Sequence, residues 1–259
     1  RIDQTRLVGN ALPPLLVQGN GTGSLAAMRR YSTLLALVAL LLGCDHSGQG
    51  GSVEGKRYGG VFNFNETEVL RSLFPLSITQ VSEQRIASQI YEGLVRFDPK
   101  DMTVEPCLAD SWKVDTAGLV YTFHLRKDVR FQDDPAFPDG EGRKLTTQDV
   151  VRCFDAVCEK GIGDQSFWLF QDRVAGADAY HDSGAKGGEV SGISAPDDRT
   201  LRITLTRTCP NFLESIAGPG CWIWPQELTA AYGNDLLGHA IGTGPFRMKV
   251  ARNDEAIVL

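Results

Sequence analysis

The 259 residues carry 26 Lys+Arg against 32 Asp+Glu, a formal net charge of −6, and 42% of them are hydrophobic. That balance excludes nucleic acid as a main partner, because phosphate binding needs a concentrated basic face, and it excludes a disordered or multi-span membrane chain. Six cysteines are too few for a small disulfide scaffold, so the length predicts an acidic domain with one large core or two modest ones.

Residues 1–27 contain Gly19-x-Gly21-x-Gly23, which superficially suggests a phosphate loop. The stretch lacks the strand before it, the Lys-Ser/Thr after it and the full glycine spacing. It is read as a non-native upstream extension, with Met28 as the true start. Arg29 and Arg30 then precede an unbroken apolar run, Leu34 to Leu42. Such a run fits the apolar region of a secretory signal and falls well short of the ~20 residues that span a bilayer. Leu41-Leu42-Gly43-Cys44 resembles the lipobox of bacterial lipoproteins, with leucine before the glycine as a departure. The resemblance makes residues 28–43 a signal peptide and Cys44 the acylated first residue of the mature chain. Several acyl chains at ~0.8 kcal/mol per CH₂ exceed the marginal hold of a single chain. Residues 44–57, rich in Gly and Ser, predict a flexible tether.

From residue 58 the predicted elements alternate. Gly60–Asn65 reads as a short strand carrying Val61, Phe62 and Phe64. Ser82 opens a helix in which Ile86, Ile90, Tyr91 and Leu94 follow helical spacing, with Gly93 placed to end it. Residues 94–97 look extended and close on an Asp98-Pro99 turn. Leu119–Arg126 alternates, Tyr121, Phe123 and Leu125 facing one way, as a half-buried strand does. Thr146 is an N-cap, with Asp149 in the first turn of a helix that buries Val150, Phe154 and Val157. Val190–Ile193 and Thr200–Leu205 flank Pro196-Asp197-Asp198 as strand, turn and strand. The fold class is α/β.

Several blocks are similar, in sequence and in order, to the extracellular solute-binding proteins of the peptide/nickel ABC importer family (family 5). They are Gln89-Ile90-Tyr91-Glu92-Gly93-Leu94-Val95, Pro106-Cys107-Leu108-Ala109-Asp110-Ser111-Trp112 and Tyr121-Thr122-Phe123-His124-Leu125-Arg126. Lys144-Leu145-Thr146-Thr147-Gln148-Asp149-Val150, the Pro196–Leu205 hairpin and Gly242-Thr243-Gly244-Pro245-Phe246 complete the set. Cys107 stands where the family more often has a small or aliphatic residue. The resemblance implies a periplasmic-binding-protein-like lobe with a mixed sheet and an accessory subdomain. Members run much longer, so residues 58–259 would be an incomplete first lobe with the second lobe missing. The implied function is peptide binding in a cleft between two lobes and delivery to the permease of an ABC importer. The protein would be a periplasmic, lipid-anchored monomer without a cofactor. Nickel complexes and oligosaccharides are alternative ligands within the family.

Candidate ligand residues are few. Asn65 and Glu66 follow the first strand, where a carboxylate could accept from a ligand amine or simply be a solvated acid at a turn. Phe167 and Trp168 sit at a place resembling the family's ligand-side aromatics, with core packing as the alternative. Trp222 and Trp224 share one face if extended, which is core or cleft floor. Gly242–Pro245 is a turn that lets two segments approach closely.

Signs of catalysis are missing: there is no Gly-x-Ser-x-Gly elbow and no His-Glu-x-x-His pair. His46, His124, His181 and His239 are scattered, and no metal site is expected. Tyr180-His181-Asp182-Ser183 reads as a polar loop, because sequence neighbours rarely form a triad. Cys153 and Cys158, five apart on one helix, lie roughly 8–9 Å apart by ideal geometry, beyond the ~7 Å that a bridge allows. Cys209 and Cys221, in Pro/Gly-containing connections, are the better pair in an oxidising compartment. Two other classes share the envelope location. An anchored peptide hydrolase would need a nucleophile or metal site, and a sensory or structural lipoprotein would keep the lobe without transport.

Overall fold

The computed structural model describes residues 52–53, 56–57, 61–66, 68–233, 236–252 and 256–259. The glycine run at 19–23, the signal segment 28–43 and Cys44 lie outside the described residues. The chain divides into two units, 1–64 and 65–259. In the first, Ser52–Val53 (β1) pairs antiparallel with Lys56–Arg57 (β2), so part of the expected tether is a short hairpin. Residues 61–65 form no strand. Val61, Phe62 and Phe64 have the propensity, but a strand exists only where a partner ladder receives its backbone groups. Phe62 and Phe64 stack instead, with ring centroids 6.1 Å apart.

The first α-helix of the second unit is α1 (Val81–Ala87), which is shorter than its apolar spacing predicts. The carbonyls that would continue the helix have other partners. Gln89 O accepts the Phe246 N–H (3.0 Å) and Ile90 O accepts the Gly244 N–H (2.8 Å). Ile90, Tyr91 and Leu94 are still buried, so the pattern found the core residues and misplaced their element. Gly93 does not end the helix. Any side chain there would press on the Trp222 ring and the Cys221 carbonyl oxygen.

Val95–Phe97 (β3) and Val104–Pro106 (β4) form a hairpin. Ala109–Val114 (β5) and Val120–Leu125 (β6) follow. In β6 every second residue is buried, and Tyr121, Phe123 and Leu125 face the core as the alternation requires. Next come α2 (Thr147–Cys158) and α3 (Ala177–Ser183), then β7 (Ile193–Asp197) and β8 (Thr200–Thr204).

The main sheet has the order β5-β6-β8-β7. Every ladder among the described residues is antiparallel, where a mixed sheet was implied. The crossover through α2 does bring β7 parallel to β6, but β8 returns by a hairpin and inserts between them. The hairpin lies later than expected: Pro196 and Asp197 belong to β7, and the turn is Asp198-Arg199. Asp197 Oδ1 fixes that turn by accepting the Arg199 and Thr200 N–H groups, each at 2.8 Å.

One stripe of α2 packs on β7 and β8 and fully buries Val150, Phe154 and Val157, each contributing about 1.5–3 kcal/mol. The helix starts where the sequence places it. Asp149 Oδ2 accepts from the Thr146 N–H (3.0 Å) and hydroxyl (3.1 Å), closing the first turn. Arg143 grips the same carboxylate with Nη1 and Nη2 at 2.8 and 2.6 Å. Its Nε and Nη2 hold Glu227 at 2.8 and 3.1 Å. Glu227 belongs to α5 (Gln226–Tyr232), which follows α4 (Phe212–Ile216), so one guanidinium clamps two helices. Residues Val250–Arg252 (β9) and Ala256–Val258 (β10) form a last hairpin.

Asp155 is, with Asp149, one of the two acids that α2 buries. It is 7% exposed and accepts the Val190 N–H at 2.9 Å. Burial, reinforced by the charge of Glu189, pushes its carboxyl up to about 6 despite that hydrogen bond. The native state therefore holds a proton that the unfolded chain releases nearer the ordinary value of 3.8. The contribution of this carboxyl to stability should fall as pH rises through that window. Asp155→Asn should abolish this fall and leave the variant about 1 kcal/mol more stable above pH 6, less than full linkage because water still reaches the group. Urea titrations at pH 4 and pH 8 check the result. Identical pH dependence in the two proteins would contradict it.

The expected Cys209–Cys221 bridge is absent, and both thiols are free and buried, as are those of Cys107, Cys153 and Cys158. Cys209 Sγ lies 3.2 Å from Asn211 Oδ1, while Cys221 sits in the short helical turn Pro219–Cys221, fully buried. Loops with Pro and Gly therefore mark where a bridge is sterically easy. They do not mark which thiols meet. Burial pushes Cys153 up to about 11 and Cys158 up to about 12, which keeps these thiols protonated and unreactive.

Candidate functional site

The five candidate ligand residues differ in exposure and in partners. Asn65 is exposed, and Glu66 is paired with Arg85 on α1. Glu68 receives the Ser82 hydroxyl at 2.7 Å, so this segment lies along α1 through two side-chain contacts. A ligand amine at Glu66 would compete with an existing guanidinium. Phe167 is core. It is 8% exposed, and its ring stacks on His181 at a centroid distance of 3.9 Å and an interplanar angle of 6°. Trp168, its neighbour, points out with 59% of its surface exposed. The two adjacent aromatics thus have opposite fates in one helical turn, Phe167–Leu169.

Trp222 and Trp224 are both buried, at 6% and 1% exposure. Trp224 meets Phe74 edge-on with centroids 4.9 Å apart, a favoured aromatic geometry. Trp222 and the Phe167 turn belong to adjoining segments. A Cβ on Gly220 would lie 2.7 Å from Leu169 Cδ1 and 2.8 Å from Ser166 Oγ.

The residues that the sequence reading missed are Glu92, Gln132 and Thr243. Glu92 Oε2 accepts the Thr243 hydroxyl at 2.8 Å, and Oε1 lies 3.5 Å from Cys107 Sγ. Gln132 Nε2 donates to the Gly244 and Phe246 carbonyls at 2.8 and 2.6 Å. Its Oε1 accepts the Gly242 N–H at 3.3 Å. Together they dock the Gly-Thr-Gly-Pro-Phe block onto residues 89–92. Only the membership of both blocks in one recognised set hinted at this, because a lone Gln has no signal of its own. The close approach expected at Gly242–Pro245 is observed. A Cβ on Gly242 would overlap the Ile90 carbonyl oxygen.

The arrangement holds segments together and exposes aromatic and amide groups. It does not assemble a reacting centre. Tyr180-His181-Asp182-Ser183 is helix α3 and its end rather than a loop. The Ser183 hydroxyl donates to Tyr180 O at 2.7 Å, and His181 Nδ1 lies 3.1 Å from Cys158 O. Both candidate groups of a triad are thus committed to backbone. Among the described residues no group of three or more His, Cys, Asp or Glu is placed to hold a metal ion.

Residues 103–259 match the family model of bacterial extracellular solute-binding proteins, family 5 Middle. Heme-binding protein A of Haemophilus influenzae is 28% identical over 236 residues, covering 87% of this chain and 42% of that protein. The periplasmic oligopeptide-binding protein OppA of Escherichia coli is 30% identical over 198 residues, covering 75% of this chain and 34% of that protein. In structure the chain is similar to the periplasmic oligopeptide-binding protein OppAIV of Borrelia burgdorferi. The TM-score is 0.63 at 27% identity, over 72% of this chain and 36% of that one. The chain therefore spans less than half the length of the relatives it matches. These relatives are named for binding, and the periplasmic-binding-protein-like fold expected from the sequence blocks is present.

Proposed function

Because this chain belongs to the bacterial extracellular solute-binding proteins of family 5, we propose that it grips a peptide against a second lobe and hands it to the permease of an ABC importer. The observation that carries this reading is the family match over residues 103–259. The oligopeptide-binding names of OppA and OppAIV support peptides as the ligand class. Residues 58–259 supply one lobe, and a ligand is held when two lobes close about a hinge. Asn65, Glu66 and Trp168 are the ligand-side candidates, while Phe167 and Trp222 are buried. Cys44, acylated after removal of residues 28–43, anchors the protein to the membrane. The working protein is a periplasmic monomer.

Isothermal titration with a peptide library tests the proposal, using this chain and a longer product of the same reading frame. The longer protein should bind peptides, and residues 58–259 alone should bind them far more weakly, because one lobe buries only half of the ligand. Micromolar or tighter binding by residues 58–259 alone would refute the requirement for a second lobe. Failure of the longer protein to bind any peptide would overturn the ligand class. Mass spectrometry of the exported protein, with an unmodified residue at position 44, would overturn the anchor.

A further inference from the structure

A cleft of about 350 Å³ runs along α2, between the 187–189 loop and the segment from Trp224 to Thr229. Its lining carries a separated charge pair. Arg152 and Asp155 are three residues apart on one helix face, a spacing at which side chains meet. Each has a partner other than its neighbour. The Arg152 guanidinium lies over the Trp224 ring, 5.3 Å from its centroid, and Nη2 donates to the Trp224 carbonyl. Asp155 commits Oδ1 to the Val190 N–H. Among the described residues, Arg152 Nη1 and Asp155 Oδ2 have no hydrogen-bond partner.

The opposite wall is built to leave this space open. The Tyr180 hydroxyl accepts the Gly188 N–H at 3.0 Å. A Cβ on Gly188 would lie 2.7 Å from Tyr180 Cε2, so the wall needs glycine there. Val151 and Ile162 add apolar surface, and Glu159 and Glu189 complete the acidic side.

We propose that this cleft is a second binding site, for the zwitterion of a free α-amino acid. Its ammonium sits on Asp155 Oδ2, its carboxylate on Arg152 Nη1, and its side chain lies against Val151 and Ile162. A simple anion would meet the carboxylates of Asp155, Glu159 and Glu189. A simple cation would leave the free edge of the Arg152 guanidinium unmatched. Only a ligand with both charges answers both groups. The buried Asp155 carboxyl, held up to about 6, is a group whose anion lacks a neighbouring cation, and a bound ammonium supplies one.

The test is titration of the 259-residue chain at neutral pH, followed by calorimetry and by tryptophan fluorescence, since Trp224 lines the cleft. L-leucine is compared with 3-methylbutylamine, which lacks the carboxylate, and 4-methylpentanoate, which lacks the ammonium. Leucine should saturate one site and bind at least about tenfold more tightly than either analogue, as expected when a charge-assisted pair is lost. Asp155→Asn, which retains an oxygen for the Val190 N–H, should weaken leucine by a similar factor while its thermal melt shows a folded protein. Equal binding of the amine, no saturation by leucine, or unchanged affinity in the variant would each overturn the proposal. Should the variant not fold, the analogue series decides alone. Excess peptide should not displace leucine, which separates this site from the peptide cleft proposed above. Displacement would assign leucine to that cleft instead.

Discussion

Glu83→Ala is expected to remove about 4 kcal/mol of stability, a large share of the 5–15 kcal/mol of a typical domain. Glu83 is fully buried in α1, and its two oxygens accept four backbone N–H groups. Oε1 takes those of Arg71 (2.9 Å) and Ser72 (3.2 Å), and Oε2 takes those of Thr79 (3.0 Å) and Gln80 (3.2 Å). One side chain therefore clasps the incoming segment and the start of the helix. Alanine would strand four donors, each costing about 1–3 kcal/mol if it stays dry, with some recovered as water enters. Glu83→Gln should fall between wild type and alanine, because its oxygen serves one pair of donors while its amide opposes the other. Urea unfolding of the three proteins checks the order. A loss below about 1 kcal/mol in the alanine variant would mean that these donors find other partners.

Gly242→Ala is the second large effect, and it acts through space rather than through hydrogen bonding directly. The added Cβ would overlap the Ile90 carbonyl oxygen and lie 2.7 Å from the carbonyl carbon and 3.0 Å from Tyr91 Cα. These are backbone atoms, so no rotamer relieves the clash. The Gly-Thr-Gly-Pro-Phe block would lift away, endangering Gly244 N–H to Ile90 O, Phe246 N–H to Gln89 O and Gln132 N–H to Gly242 O. About 3 kcal/mol is expected from overpacking and these lost bonds. Gly218→Ala is the control. Nothing lies within 4 Å of its added Cβ and its φ is −85°, so a change within about 0.5 kcal/mol is expected. Thermal melts compare the two, and equal melting temperatures would contradict the account of Gly242.

The ligand-side residues show where sequence reading is blind. Phe167 and Trp168 are chemically alike and adjacent, yet one stacks on His181 inside and the other stands in solvent. The difference depends on which way a three-residue helical turn faces, and no periodicity extends over so short a piece. Glu66 looked available because Arg85, nineteen residues away, is not visible as a neighbour until α1 is placed. Cys209 and Cys221 failed as a pair for the same reason. A thiol's partner is set by Cα separation and direction, which composition of the flanking loops does not encode.

What the sequence alone determined was local and periodic. The Thr146 cap and the Val150, Phe154, Val157 stripe of α2, and the alternation in β6, each repeat within one element, so hydrophobic burial and capping dictate them directly. The family blocks also sufficed to assign the fold. Only the tertiary structure decided that α1 stops at Ala87, that β8 separates β7 from β6, that Glu83 reaches the Arg71 and Ser72 N–H groups, and that Gln132 binds distant backbone. In each case the deciding hydrogen bond or contact joins residues far apart in the chain, and it competes with the local pattern on equal or better terms.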